Sequence, residues 1–208
     1  MSNRRISSKG GVKTTRLAIA LILMMASAAY AQAPNANRSG DMSHFGRGIR
    51  GEIAADFSAR VWSYFDLRSE VEKGLAARRV TADPAEITKA VRGLAERIRV
   101  ARVNAKQGDF FTPAISMAFR KALLGEMSSD TWAAIMDDNP GEITVPINGS
   151  YPDGKPLSTV PPNVLALLPR LPEDVQYRFL GRDLILFDMR ANLILDQMPQ
   201  AIQLRGQR

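Results

Sequence analysis

The sequence predicts an α+β protein in which about four helices precede a small antiparallel β-meander. Between residues 49 and 138, apolar residues recur at three- and four-residue spacing, which is typical of amphipathic helices. In residues 175–199, three short apolar runs are separated by Gly181-Arg182 and by Arg190-Ala191-Asn192, which is typical of strands joined by tight turns. A Pro/Gly-rich connector, 139–174, separates the two regions. We therefore expect one domain over 49–199.

The first 31 residues are typical of a secretory signal peptide. Five basic residues and no acid precede an apolar run from Leu17 to Ala29. This run of about 13 residues is too short for a bilayer core, which needs about 20. Because Ala29-Tyr30-Ala31 supplies the small residues of a cleavage site, we expect cleavage after Ala31, no transmembrane segment in the mature chain, and a periplasmic or secreted protein. An uncleaved anchor is the alternative.

Composition excludes several classes of function. Removal of residues 1–31 lowers the formal net charge from +7 to +2, so the high pI does not indicate nucleic-acid binding. The chain has no Cys and therefore no disulfide or thiolate chemistry. The only His, His44, lies in the polar segment 32–48, which we expect to be a flexible tail. The sequence thus predicts no catalytic residue, no cofactor and no metal site.

Four helices are expected in the region 49–138. The first begins at Ile49 and runs for about 28 residues, because apolar positions fall on one arc. The second follows Asp83-Pro84, and the third follows Thr112-Pro113, since a capping side chain before Pro marks a helix start. A shorter fourth helix runs from Ser129 to Met136 and ends at the turn residues that follow it.

The second helix carries a basic flank beside an apolar stripe that extends from Ile87 to Ala105. Such a flank offers a binding surface for acidic lipid headgroups or an acidic partner. The alternative is a solvated face whose long stems cover apolar surface. Its four members are Arg92, Arg99, Arg102 and Lys106.

The connector contains five prolines between residues 142 and 162, which excludes a long helix and a central strand. Only Ile143 to Ile147 suits a short edge strand, and residues 161–168 suit one or two helical turns. In the meander, the alternation of apolar and polar residues around Tyr177 predicts a half-buried strand. The apolar run 184–187 predicts a central strand, and Asn192 predicts a tight turn with positive φ.

The C-terminal pattern resembles the C-terminal module of the periplasmic nickel/cobalt-homeostasis family, whose proteins end in a Pro-rich lead, a Tyr-Arg strand and a short meander. The whole mature chain also resembles a group of uncharacterised exported bacterial proteins. These resemblances imply a fold and a compartment. They imply no metal site, because nickel and cobalt favour imidazole and thiolate ligands, which are absent from the residues that carry the resemblance. The residues that carry the first resemblance are Leu171-Pro172, Tyr177-Arg178, Gly181, Asp183, Leu186, Asp188, Leu193-Ile194 and Asp196.

These patterns predict an exported, non-catalytic binding or envelope-associated protein whose partner is an envelope protein or polymer. The binding segment is expected between Trp132 and Tyr151, where tight turns and aromatic side chains join the helices to the connector. In the alternative interpretation, Trp132 belongs to the core and this segment packs over the sheet. The candidate binding residues are Trp132, Asp137, Asp138, Asn139, Asn148 and Tyr151.

A carboxylate-dependent hydrolase acting on an envelope polymer is the alternative function. The available carboxylate pairs for general acid–base chemistry are Asp137 with Asp138 and Asp183 with Asp188. Two carboxylates facing each other at about 5 to 9 Å would favour this alternative.

Overall fold

The chain forms helices first and an antiparallel sheet last, which confirms the predicted α+β class. The computed structural model describes residues 48–49, 51–75 and 82–203, which belong to one of the chain's two compact units, Asn37–Arg208. The predicted signal peptide, and the predicted tail except Gly48, lie outside the described residues. The helices are α1 (Glu52–Lys73), α2 (Pro84–Ala101), α3 (Pro113–Glu126), α4 (Ser129–Asp137) and the single turn α5 (Pro162–Leu165), and the strands are β1 (Val175–Leu180), β2 (Asp183–Asp188) and β3 (Leu193–Met198).

Three helices begin where the sequence predicts, each at a side chain that accepts a hydrogen bond from the first turn. Asp83 accepts from the Ala85 N–H before α2, Thr112 caps α3, and Ser128 caps α4. Within the described residues, no helix is long and apolar enough to span a membrane.

The predicted lengths of α1 and α2 are wrong. α1 begins three residues later than expected because Gly51 takes a φ of 72°, while the Gly48 N–H donates to the Leu167 carbonyl. α2 ends at Ala101, where the Arg102 carbonyl accepts a hydrogen bond from the Asn148 amide at 3.0 Å. The apolar stripe is also shorter than predicted, since Ile87 is 48 % exposed.

The three strands pair in sequence order, β1-β2-β3, as predicted. Gly181 takes a φ of 57°, which the first position of a two-residue hairpin turn requires, and Asn192 takes the predicted positive φ, at 51°. Leu186 lies on the central strand and is fully buried.

The sheet is covered on both faces. Tyr177, Phe179 and Leu186 pack with the helices in the main core, whereas Ile185 and Phe187 face the connector. On the connector side, the covering side chains include Val145 and Tyr151.

The edge strand predicted over Ile143 to Ile147 is wrong. The connector makes only an isolated bridge to β3, between Ser150 and Leu193. Pro146 has no N–H to donate, and Asn148 turns the chain with a φ of 61°. The backbone contact with β3 therefore begins only at the Asn148 N–H, which donates to the Ile194 carbonyl at 2.8 Å.

Candidate functional site

The carboxylate of Asp188, at the end of β2, is buried and joins the sheet to α1. Its Oδ2 accepts hydrogen bonds from the Tyr64 hydroxyl at 2.5 Å and from Arg68 Nη1 at 3.1 Å. Its Oδ1 accepts from the N–H groups of Arg190 at 2.8 Å and Ala191 at 3.0 Å. Burial and the negative charge of Asp188 raise the pKa of Tyr64, so the phenol stays a donor. This carboxylate therefore holds α1 against the sheet through Oδ2 and the turn after β2 through Oδ1.

A second buried carboxylate, Asp196 on β3, holds the loop between α2 and α3. The β2–β3 register shifts here, with Leu195 as the extra residue of a β-bulge, so Leu195 and Asp196 both face the helical side. Asp196 Oδ1 accepts from the Gly108 N–H at 2.9 Å, and Oδ2 accepts from those of Phe110 at 2.8 Å and Phe111 at 2.7 Å. Asp196, like Asp188, is occupied by structural contacts.

The two carboxylate pairs proposed for hydrolysis have different surroundings. Asp183 and Asp188 occupy opposite ends of β2, a separation of about 16 Å along the strand. This separation exceeds the distance that acid–base chemistry on one bond requires. Asp137 and Asp138 are exposed at the end of α4, where Asp138 accepts a hydrogen bond from the Thr159 hydroxyl at 3.2 Å.

Asn139, Asn148 and Tyr151, among the predicted binding residues, use their polar side-chain groups within the protein. The Asn139 side chain donates to the Gly181 carbonyl at 2.9 Å and accepts from its N–H at 2.8 Å, so it clamps the β1–β2 turn. The Asn148 side chain exchanges two hydrogen bonds with Arg102. Tyr151 is buried against Phe187, and its hydroxyl donates to a connector carbonyl.

Trp132 is half-buried on α4 and packs against the main core. Arg182 lies in the turn that joins β1 and β2, and its guanidinium is 5.4 Å from the centre of the Trp132 ring. Trp132 therefore contacts both the helical layer and the hairpin. A role for Trp132 in binding a partner stays a prediction.

The predicted basic flank does not form one surface. Because α2 ends at Ala101, Lys106 lies in the following loop rather than on the helix. Arg99 donates to the Asn148 carbonyl at 2.9 Å, and Arg102 donates to the Leu195 carbonyl at 3.2 Å. Burial lowers the pKa of Arg102, an effect opposed by Tyr64, Asp109 and Asp196. Arg92 is exposed on α2 and Lys106 is exposed in its loop.

A groove of about 490 Å³ lies between β1 and the preceding part of the connector, and we call it the β1 groove. This volume falls within the range of about 300 to 1,000 Å³ that is typical of ligand sites. Its lining is mixed, because both the connector and β1 contribute apolar and polar side chains. The residues used below are Leu165, Arg170, Val175, Gln176, Tyr177 and Arg178.

The charge of the β1 groove is one-sided. Its lining includes Arg170 and Arg178 and no acidic residue. Arg178 donates to the Ser158 carbonyl at 2.9 Å and to the amide oxygen of Gln176, which are both neutral acceptors. Its Nε is buried without a hydrogen-bond partner, and burial lowers its pKa, partly opposed by Tyr151. The groove therefore presents cationic groups that no lining carboxylate neutralises.

The sequence interpretation did not identify this groove. The sequence places Tyr177-Arg178 in a strand and in the C-terminal family resemblance, and nothing in it singles out Arg170. A usable signal is the combination of a three-stranded meander with a Pro-rich lead, because such a lead cannot pair along the whole of the first strand.

The chain matches no family model, no curated protein and no solved structure. The resemblance to the nickel/cobalt-homeostasis family therefore stays a prediction from the sequence. Within the part of the chain that the structure describes, no group of three or more His, Cys, Asp or Glu side chains could hold a metal ion.

Proposed function

We propose that the protein is an exported, non-catalytic binding module of the cell envelope, and that the β1 groove is its binding site. The observation that carries this proposal is a preformed groove of about 490 Å³ whose mixed lining combines apolar side chains with two arginines. Concave, mostly apolar sites with a few polar groups are the usual form of a ligand site.

The state of the carboxylates also favours binding over catalysis. Asp188 and Asp196 accept hydrogen bonds from the protein itself, and the β1 groove has no acidic side chain that could serve as an acid or a base. A hydrolase mechanism has no comparable support. The predicted signal peptide, with its basic start, apolar run and small cleavage-site residues, supports an envelope location.

Site-specific crosslinking tests the binding site. A photo-crosslinking phenylalanine analogue is placed at Leu165, which lines the groove and is 46 % exposed, in protein produced in a bacterial cell. We expect an adduct with an envelope component. The matched control carries the analogue at Leu124, which is 49 % exposed on α3 and should give no such adduct.

Equal adducts from both positions, or none from Leu165, would contradict the assignment of the groove. N-terminal sequencing of the same protein, recovered from the periplasm or medium, tests export separately. We expect a chain that begins at Gln32. A retained Met1 on protein that stays in the cytoplasm would contradict the envelope location.

A further inference from the structure

The free backbone of β1 determines what the β1 groove can hold. Leu180 and Asp183 close the hairpin across a two-residue turn and form a hydrogen-bonded pair. Hydrogen bonding alternates along an antiparallel pair, so Val175, Tyr177 and Phe179 direct their N–H and C=O groups away from β2. These outward groups form the free edge of the sheet.

Both ends of this free edge are capped. The Ser158 hydroxyl accepts from the Phe179 N–H at 2.7 Å and donates to the Phe179 carbonyl at 2.9 Å. The Val175 N–H donates to the Pro172 carbonyl at 3.2 Å. Between the caps, the N–H and C=O of Tyr177, a residue of the groove lining, meet no partner among the described residues. Tyr177 thus offers one free donor and one free acceptor to the groove in strand geometry.

We propose that the β1 groove binds an extended, acidic peptide segment, which adds to β1 as a short fourth strand. This inference rests on the proposed function. An extended backbone offers both an acceptor for the Tyr177 N–H and a donor for its C=O. The distance from Val175 to Phe179 is about 13 Å, which limits the added strand to about four residues.

Charge complementarity selects an acidic segment. Arg178 has only neutral acceptors, and its Nε has no hydrogen-bond partner. Arg170 is exposed at the same groove. A carboxylate on the added strand would give these guanidinium groups charge-assisted hydrogen bonds, whereas an ammonium would be repelled.

Binding of synthetic peptides to the full chain tests this inference. The probe is acetyl-Val-Glu-Val-Glu-Val-Glu-amide. A second peptide has Lys in place of Glu, which reverses the charge. A third has the probe's sequence with methylated backbone nitrogens at alternate positions, which removes the N–H donors needed for strand pairing. We expect the first to bind and to slow hydrogen exchange of the Tyr177 amide about tenfold. The Lys and N-methyl peptides should bind at least about tenfold more weakly.

Arginine variants identify the recognition groups. Arg178→Gln should weaken binding of the Glu peptide about tenfold. Arg170→Gln should weaken peptide binding by a smaller factor. Because Arg170 is exposed, this variant should fold normally, so it still tests the inference if Arg178→Gln folds poorly. Arg92→Gln, on the exposed part of α2, should leave binding unchanged.

The outcomes separate this inference from the proposed function. Equal affinity for the Glu and Lys peptides, or for the N-methyl peptide, would overturn acidic strand addition. Absence of peptide binding together with a Leu165-specific envelope adduct would overturn the strand inference and leave the binding module. Absence of both would overturn the proposed function as well.

Discussion

The two edges of the sheet differ in how much of their backbone is covered. Along β3, the connector pairs with Ile194, Arg102 donates to the Leu195 carbonyl, and Gln107 donates to the Gln197 carbonyl. Along β1, only the two ends are capped, and the backbone of Tyr177 faces the groove. The unpaired backbone groups of a free strand edge can pair with another chain, and proteins usually cover or interrupt such edges. The β3 edge is thus closed by structure, and the open part of β1 is where a partner strand has room.

Asp196 holds the loop between α2 and α3, which supplies Gln107 to the closed edge. In Asp196→Ala, the N–H groups of the loop between α2 and α3 lose their buried acceptor, so the unfolding free energy should fall by about 3 to 5 kcal/mol. Urea denaturation followed by circular dichroism measures this loss. The exposed connector residue Asp153 supplies the control, since Asp153→Ala should change stability by less than about 0.5 kcal/mol. A loss below about 1 kcal/mol in Asp196→Ala would mean that this loop is held by other contacts.

Local patterns predict most of the elements of this fold. The starts of α2, α3 and α4 follow from capping residues beside the helix, and the strand ends follow from turn residues such as Gly181 and Asn192. These signals act within a few residues of the chain. They therefore remain readable in the sequence alone.

Several features that differ from prediction are set by contacts between distant residues. The end of α2 depends on Asn148, which lies 46 residues after Arg102. The bulge that places Asp196 depends on a loop 85 to 88 residues away. The β1 groove forms where the connector runs beside the edge strand β1, and no short sequence motif predicts the path of the connector. The candidate site was therefore less predictable than the fold.

Asn148 tests how the connector closes the β3 edge. Asn148→Ala removes two hydrogen bonds with Arg102 and places a Cβ-bearing residue without a polar side chain at a φ of 61°. We expect a loss of about 2 to 3 kcal/mol in thermal or urea unfolding. Asn148→Gly keeps the positive φ accessible and should lose about 1 kcal/mol less. Equal losses in the two variants would assign the whole effect to the hydrogen bonds.

Ser158 sharpens the comparison because it closes only one end of the β1 edge. Its buried hydroxyl satisfies both backbone groups of Phe179, so Ser158→Ala should lower stability by about 1 to 2 kcal/mol and speed hydrogen exchange of the Phe179 amide. Lys155→Ala, at an exposed connector position outside the groove lining, is the control. Ser158→Ala also frees the N–H and C=O of Phe179, which can then pair with an added strand. The folded variant should therefore bind a longer Glu peptide more tightly than the wild-type chain does. If the Phe179 amide exchanged no faster in this variant, Ser158 would not be the cap, and the open stretch of β1 would have to be bounded by another part of the connector.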